Sequence, residues 1–175
     1  MNGSVSLGAN STNLFVATTD SSVNAAGGVA PAVNLGIGAV TVNFAAAGMV
    51  DGGSGGNNTL RLRQGTSLTG TIANGSFLNF NKLDVESGTW TLNGASAVSQ
   101  ATLGSGATAV VDNALSLGKG TVTSNGGALE TAVPGLSLAN DVVLGTGGLT
   151  FTGANGVQLS GAISGGGDLT QASGA

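Results

Sequence analysis

The chain has 175 residues and a formal net charge of −4, and 33 of its residues are Gly. It contains no His and no Cys, which excludes a structural zinc site, Cys or His nucleophiles, an imidazole base and a disulfide framework. Four Lys and Arg residues are too few for the basic surface that holds a phosphate backbone, so no nucleic-acid partner is expected.

Small and turn-forming residues dominate the composition, since Gly, Ser, Thr and Asn make up 86 of the 175 residues. Disordered chains share this bias. However, 41% of the residues are hydrophobic and only 2 are Pro, which favours a folded chain. No basic segment followed by an apolar run marks a signal peptide, and no run approaches the ~18 apolar residues of a membrane helix. We therefore expect one folded unit over residues 1–175, part of a larger protein, without direct membrane insertion by this segment.

Apolar residues alternate with polar ones over short runs. The alternating pairs, in chain order, are Leu60 and Leu62, Leu83 and Val85, Leu115 and Leu117, Val142 and Leu144, and Leu149 and Phe151. A period of two, ended by Gly or Asn, predicts short strands. The density of Gly opposes helices, and none is predicted.

The strands belong to a repeated unit of the form apolar-x-apolar-x-x-Gly. Its copies begin at Leu60, Leu83, Ala101, Leu115 and Val142, and the unit's Gly stands at 65, 88, 106, 120 and 147. The unequal intervals between these glycines predict a solenoid whose coils carry loops of different length. Stacked strands pair their backbones and bury one face, and Gly and Asn supply the corners. At roughly 20–25 residues a coil, we expect about eight coils. Residues 1–49 are expected to form an irregular cap or the first coils.

When the unit at Leu60 is aligned with the unit at Leu83, residues of opposite charge fall at equivalent positions. Arg61 then lies over Asp84 and Arg63 over Glu86, so both pairs are predicted on the outer face of adjacent strands, where they fix the register. The alternative interpretation makes Asp84 and Glu86 a catalytic carboxylate pair, about 7 Å apart on one strand. Structural ion pairs are the favoured interpretation.

Residues 51–60 resemble one degenerate copy of a calcium-binding nonapeptide. Asn58 stands where that motif has Asp, and Asp51 is the only carboxylate nearby, so a flexible corner loop is favoured over a metal site. Trp90, Phe77 and Phe80 are predicted in the core. Ladders of stacked asparagines are predicted at Asn93, Asn113 and Asn125.

Several motifs carry a resemblance to a known family. Residues 80–94, which end in Ser-Gly-Thr-Trp-Thr-Leu-Asn-Gly, resemble a coil of bacterial autotransporter passenger domains. Residues 51–62 are similar to the coil that often precedes it, and residues 126–145 and 159–170 resemble the autotransporter-associated β-strand repeat. Gln171 stands where that repeat commonly has Lys. The resemblance covers residues 50–175 and implies a right-handed, single-stranded parallel β-helix, exported by a C-terminal barrel and displayed on the cell surface.

The sequence therefore predicts an all-β scaffold, a stalk or adhesive surface of an extracellular or outer-membrane-anchored protein with a role in virulence. No catalytic, cofactor-binding or metal-ligating residue is expected. The expected partners are proteins or glycans of a host or of neighbouring cells, or other copies bound end to end or laterally. One alternative is a self-assembling extracellular fibre or matrix subunit. A less favoured alternative is a polysaccharide-acting β-helix enzyme, in which the converging groups would be Arg61, Arg63, Lys82, Asp84 and Glu86.

Overall fold

The computed structural model describes residues 5–21, 28–29, 33–34, 39–40, 43–44 and 49–172. The strands are β1 (Val5–Ser6), β2 (Leu14–Thr18), β3 (Gly28–Val29), β4 (Val33–Asn34), β5 (Ala39–Val40), β6 (Asn43–Phe44), β7 (Val50–Asp51), β8 (Thr59–Arg63), β9 (Thr69–Ala73), β10 (Phe77–Leu78), β11 (Lys82–Val85), β12 (Gly88–Asn93), β13 (Gln100–Leu103), β14 (Ala107–Val111), β15 (Thr121–Ser124), β16 (Gly127–Thr131), β17 (Leu136–Leu138), β18 (Val142–Leu144), β19 (Leu149–Thr152), β20 (Val157–Leu159), β21 (Ile163–Gly165) and β22 (Leu169–Gln171). One 3₁₀ turn, Asn74–Ser76, is the only helical segment in these residues, and none of them forms a helix able to cross a bilayer.

The strands stack in parallel on the sides of a coil. The seven-strand stack contains β2, β8, β11, β13, β15, β18 and β21, and the six-strand stack contains β9, β12, β14, β16, β19 and β22. The third side is shorter and carries β1, β7 and β10 near one end and β17 and β20 near the other. The predicted all-β parallel solenoid is thus confirmed, with about five turns.

The register confirms the predicted alignments at the start of the repeat and corrects one unit. Leu83 pairs with Leu60 on one side and with Ala101 on the other. The next partner of Ala101 is Val122, so the unit predicted to begin at Leu115 is not a strand. Backbone bonds from Ser116 to Asn113 and from Gly118 to Leu115 close a turn there. Leu117 is nevertheless buried. Because the turn places this apolar side chain in the core, its sequence shows the same apolar spacing as a strand.

The N-terminal part departs from the regular coil. Strand β2 pairs directly with β8, Phe15 opposite Leu60, although a long stretch of sequence separates the two strands. Between them, β4 pairs antiparallel with β2 and with β5, and β3 pairs antiparallel with β6. These short antiparallel pairs add no coil, which is why the expected eight coils is too high. The remainder of residues 22–48, like residues 1–4, falls outside the described part of the chain.

The apolar face of every complete coil points inward. Trp90 and Leu92 are fully buried, as predicted, and the indole N–H of Trp90 donates to Ser87 O at 3.0 Å. Phe77 and Phe80 are also in the core, where they form an edge-to-face cluster with Phe15 whose ring centroids lie 6.0–6.3 Å apart. Such pairs add about 0.5–1.5 kcal/mol beyond burial, so the aromatic residues hold the first coils together.

An asparagine ladder exists, but at positions other than those predicted. Asn13, Asn58 and Asn81 each stand directly before a strand of the seven-strand stack. Asn13 Nδ2 donates to Asn58 Oδ1 at 3.0 Å, and Asn81 Oδ1 accepts from Asn58 N at 2.8 Å. We call these three residues the corner ladder. It satisfies backbone groups that the sharp corner leaves unpaired.

The predicted ladder residues do not stack on one another. Asn93 and Asn125 are exposed, and Asn113 Oδ1 accepts from Leu115 N inside its own turn. Asn93 is the last residue of β12, Asn113 lies in a turn, and Asn125 follows β15, and within the described residues no hydrogen bond joins their side chains to an asparagine of a neighbouring coil. That part of the prediction is wrong.

Candidate functional site

The charged residues singled out from the sequence meet on the outer face of the seven-strand stack. Strand β8 carries Arg61 and Arg63, while β11 carries Lys82 and Asp84 and is followed by Glu86. The intervening leucines and valine are buried in the core, and this alternation fixes the charged side chains on the outside. Three of the chain's four cations therefore lie on two adjacent strands.

Arginine and carboxylate groups on this face form a connected set of ion pairs. Arg61 Nε lies 2.8 Å from Asp84 Oδ2 and 3.3 Å from Glu86 Oε2. Arg63 donates to Glu86 Oε1 from Nε at 2.9 Å and from a terminal nitrogen at 2.6 Å. The hydrogen bond and the charge of Glu86 raise the pKa of Arg63 further above its ordinary value. The predicted pairing is confirmed, and both carboxylates are engaged by guanidinium groups.

A shallow groove of about 290 Å³ lies beside these ion pairs. It is lined by Thr59, Arg61, Lys82, Leu83, Asp84, Gln100 and Thr102. Within the described residues, no hydrogen bond or ion pair occupies the side chains of Lys82, Gln100 or the two threonines. An ammonium group, an amide and two hydroxyls therefore face the groove with free hydrogen-bonding capacity. This set can bind a carboxylate and nearby hydroxyl groups.

The groove also contains residues that were not selected from the sequence. Gln100 and Thr102 pair in register with Lys82 and Asp84. The alignment of Leu83 with Ala101 in the repeat already predicts that Gln100 and Thr102 lie beside Lys82 and Asp84. These two groove residues could therefore have been identified from the sequence. In contrast, Lys119 lies exposed in a turn before β15, two coils further on, and takes no part in the site.

The loop that resembles a calcium-binding repeat is closed by its own hydrogen bonds. Asp51 Oδ1 accepts from Asn79 Nδ2 at 2.7 Å and from Gly53 N at 2.8 Å, and these bonds lower the pKa of Asp51. Asn58 Nδ2 donates to Gly53 O and to Asn79 O. Across the described ranges, no three His, Cys, Asp or Glu side chains cluster as a metal site would require. The loop is therefore a hydrogen-bonded corner of the coil.

A second carboxylate closes a corner in the same manner. Asp20 accepts from the backbone N–H groups of Thr66 and Ser67 at 2.6 and 2.8 Å, and these bonds lower its pKa. Because the folded pKa is depressed, the stabilisation is present above the ordinary pKa of Asp and is lost as the pH falls below it. Asp20 thus ties β2 to the corner that follows β8.

A double-mutant cycle on Arg61→Gln and Asp84→Asn is expected to give a coupling free energy of about 0.5–1 kcal/mol. Both side chains are partly exposed, so the coupling should weaken as salt is added. Urea unfolding of the four proteins at low and high salt measures it. Lys119→Gln combined with Asp84→Asn is the matched control, with coupling below about 0.5 kcal/mol. Equal coupling free energies in the two cycles would show that Arg61 and Asp84 do not form a specific ion pair.

Comparison of the chain with protein-family models, with curated proteins and with solved structures finds no match.

Proposed function

We propose that the chain is a structural and adhesive segment of a protein displayed on a bacterial cell surface, in the manner of an autotransporter passenger, and that it has no catalytic activity. The observation that best supports the proposal is that polar side chains link neighbouring coils. Arg61 with Asp84, Asp20 with Thr66, and the corner ladder each connect one coil to another. The resemblance of residues 50–175 to passenger coils supports the same role.

The adhesive contact is assigned to the groove beside the ion pairs. Lys82 brings a cation that no described carboxylate neutralises, and Gln100, Thr59 and Thr102 surround it with neutral hydrogen-bonding groups. A glycan that carries carboxylate groups has the complementary chemistry, since an ammonium favours a carboxylate and the neutral side chains favour hydroxyls. The ligand is therefore an acidic glycan on a neighbouring surface.

Beads coated with the purified chain should bind to an immobilised oligogalacturonate and bind less to its neutral methyl ester. Lys82→Gln should weaken this binding about tenfold, which corresponds to the loss of about 1.4 kcal/mol from one charge-assisted contact. Lys119→Gln removes the same charge from an exposed turn and should leave binding unchanged. Bead retention under flow is the measurement, and released reducing ends are assayed in the fluid that leaves the same channel.

Three outcomes would contradict the proposal in different ways. Equal loss in the two lysine variants would mean that binding depends on net charge and not on the groove. Retention on neither surface would remove the adhesive role. Reducing ends that appear with the parent chain and disappear with Asp84→Asn would establish the polysaccharide-acting enzyme in place of the scaffold.

A further inference from the structure

The groove beside the ion pairs contains a carboxylate as well as the ammonium group of Lys82. Lys82 and Asp84 both line the groove and lie two residues apart on the outer face of β11, a separation of about 7 Å between Cα atoms. The residues opposite Lys82 on the adjoining strands are Thr59 and Gln100, and both are neutral. Asp84 is therefore the anion that the register places nearest to Lys82.

Arg61, and not Lys82, is the partner of this carboxylate. Arg61 stands directly opposite Asp84 on the adjacent strand, and its Nε lies 2.8 Å from Asp84 Oδ2. A guanidinium competes well for a carboxylate because it is less strongly hydrated than an ammonium and holds its donors in a rigid plane. Among the described residues, Lys82 takes part in no ion pair. The cation of the groove is thus left free while the neighbouring anion is engaged.

We infer that Arg61 is a positioning residue that sets the specificity of the groove for acidic ligands. It holds Asp84, which would otherwise act as an internal competitor for Lys82. The flexible four-carbon stem of a lysine can bring its ammonium to a carboxylate two residues away on the same strand face. Without Arg61, Asp84 would therefore neutralise Lys82, and an external carboxylate would have to displace it.

The inference rests on the proposed binding of acidic glycans by this groove, and it assigns Arg61 an indirect role. Arg61 acts through Asp84 and not through contact with the ligand. The loss of Arg61 should therefore be harmful only while Asp84 is present, and a variant that lacks both side chains should keep a free Lys82. A residue that bound the glycan directly could not be compensated in this way.

Titration calorimetry with a soluble oligogalacturonate measures the effect on binding. Arg61→Gln should weaken binding about tenfold, as Lys82→Gln does, because the groove then lacks a free cation in both variants. Arg61→Gln combined with Asp84→Asn should bind as tightly as the parent chain. Lys119→Gln is the matched control, since it makes the same change in net charge as Arg61→Gln in an exposed turn, and it should also bind like the parent chain.

Carbodiimide cross-linking tests the position of Asp84 in the absence of any ligand. The reagent activates a carboxylate, and an amine in contact with that group then forms an amide with the overall loss of one water. Arg61→Gln should give several times more of the Lys82–Asp84 amide than the parent chain does. Mass spectrometry of the peptide that contains both residues measures the product, and Arg61→Gln combined with Lys82→Gln is the control that cannot form it.

The two measurements separate failure of the inference from failure of the proposed function. Weak binding by the double variant of Arg61 and Asp84 would overturn the inference, because Arg61 would then contact the ligand itself. Equal cross-linking in the parent chain and in Arg61→Gln would overturn it as well, because Arg61 would not control the partner of Asp84. If the parent chain bound no oligogalacturonate, the acidic ligand would be refuted, and the cross-link would still decide whether Arg61 keeps Asp84 from Lys82.

Discussion

Replacement of Trp90 with Ala is expected to lower the free energy of unfolding by about 3–5 kcal/mol. The side chain is fully buried, and its partners in register on the neighbouring coils are Gly70 and Ala109. The two small residues leave the space that the indole fills. Neither can extend into the cavity left by its removal, so the loss should fall in the upper part of the range for core truncations.

Urea unfolding followed by far-UV circular dichroism measures this effect without relying on the single Trp of the chain. Trp90→Phe is the matched control, because it keeps an aromatic ring and loses the N–H that bonds Ser87. It should lose markedly less stability than Trp90→Ala. A loss below about 1 kcal/mol for the alanine variant would mean that the coil relaxes around the missing ring.

The opposite substitution tests the same packing. A methyl group at Gly70 would lie 2.7 Å from Trp90 Cζ3, so Gly70→Ala should cost about 1–3 kcal/mol through overpacking. In the Trp90→Ala background the contact with the indole is gone, so the penalty should be reduced, although the methyl would still lie 3.0 Å from Thr19 Cα. Additive losses in the double variant would contradict the complementarity of Gly70 and Trp90.

The sequence was sufficient to predict the fold because two independent signals agreed. The pairs Leu60–Leu83 and Arg61–Asp84 follow one offset, and the apolar pair places the charged pair on the outer face. Parallel stacking without a register shift keeps equivalent positions opposite each other. The alignment of two segments therefore predicts which of their residues are in contact. The ion pairs were predictable for that reason, and Gln100 could have been added by the same rule.

Corners and the N-terminal strands could not be predicted in this way. Leu115 and Leu117 show the alternation of a strand, yet a turn buries Leu117, and only the contacts of adjacent coils distinguish the two cases. Short strands such as β4 carry too few residues for a periodic signal. Likewise, composition cannot separate Asn58 from Asn125, because what differs between them is the presence of two acceptor carbonyl groups, Gly53 O in the same corner loop and Asn79 O on the neighbouring coil.

That difference makes Asn58 a sensitive polar position. Its Nδ2 donates to Gly53 O at 2.7 Å and to Asn79 O at 2.8 Å, and its Oδ1 accepts from Asn13. The residue is fully buried, so water cannot readily replace the lost partners. Asn58→Ala is expected to lower the free energy of unfolding by about 3–5 kcal/mol, because each buried group left unsatisfied costs about 1–3 kcal/mol.

Asn125→Ala is the matched control, since Asn125 is exposed, and its effect on the free energy of unfolding should stay within about 0.5 kcal/mol.

Asn58→Asp keeps the volume of the side chain and replaces its amide donor with a carboxylate oxygen. A buried carboxylate that faces Gly53 O and Asn79 O is repelled by both, and its pKa should rise above the ordinary value of about 3.9. The variant should therefore recover stability relative to the parent chain as the pH falls and the carboxyl gains a proton to donate. Urea unfolding across that pH range measures the recovery, and equal losses in Asn58→Ala and Asn125→Ala would show that the corner ladder does not stabilise the coil.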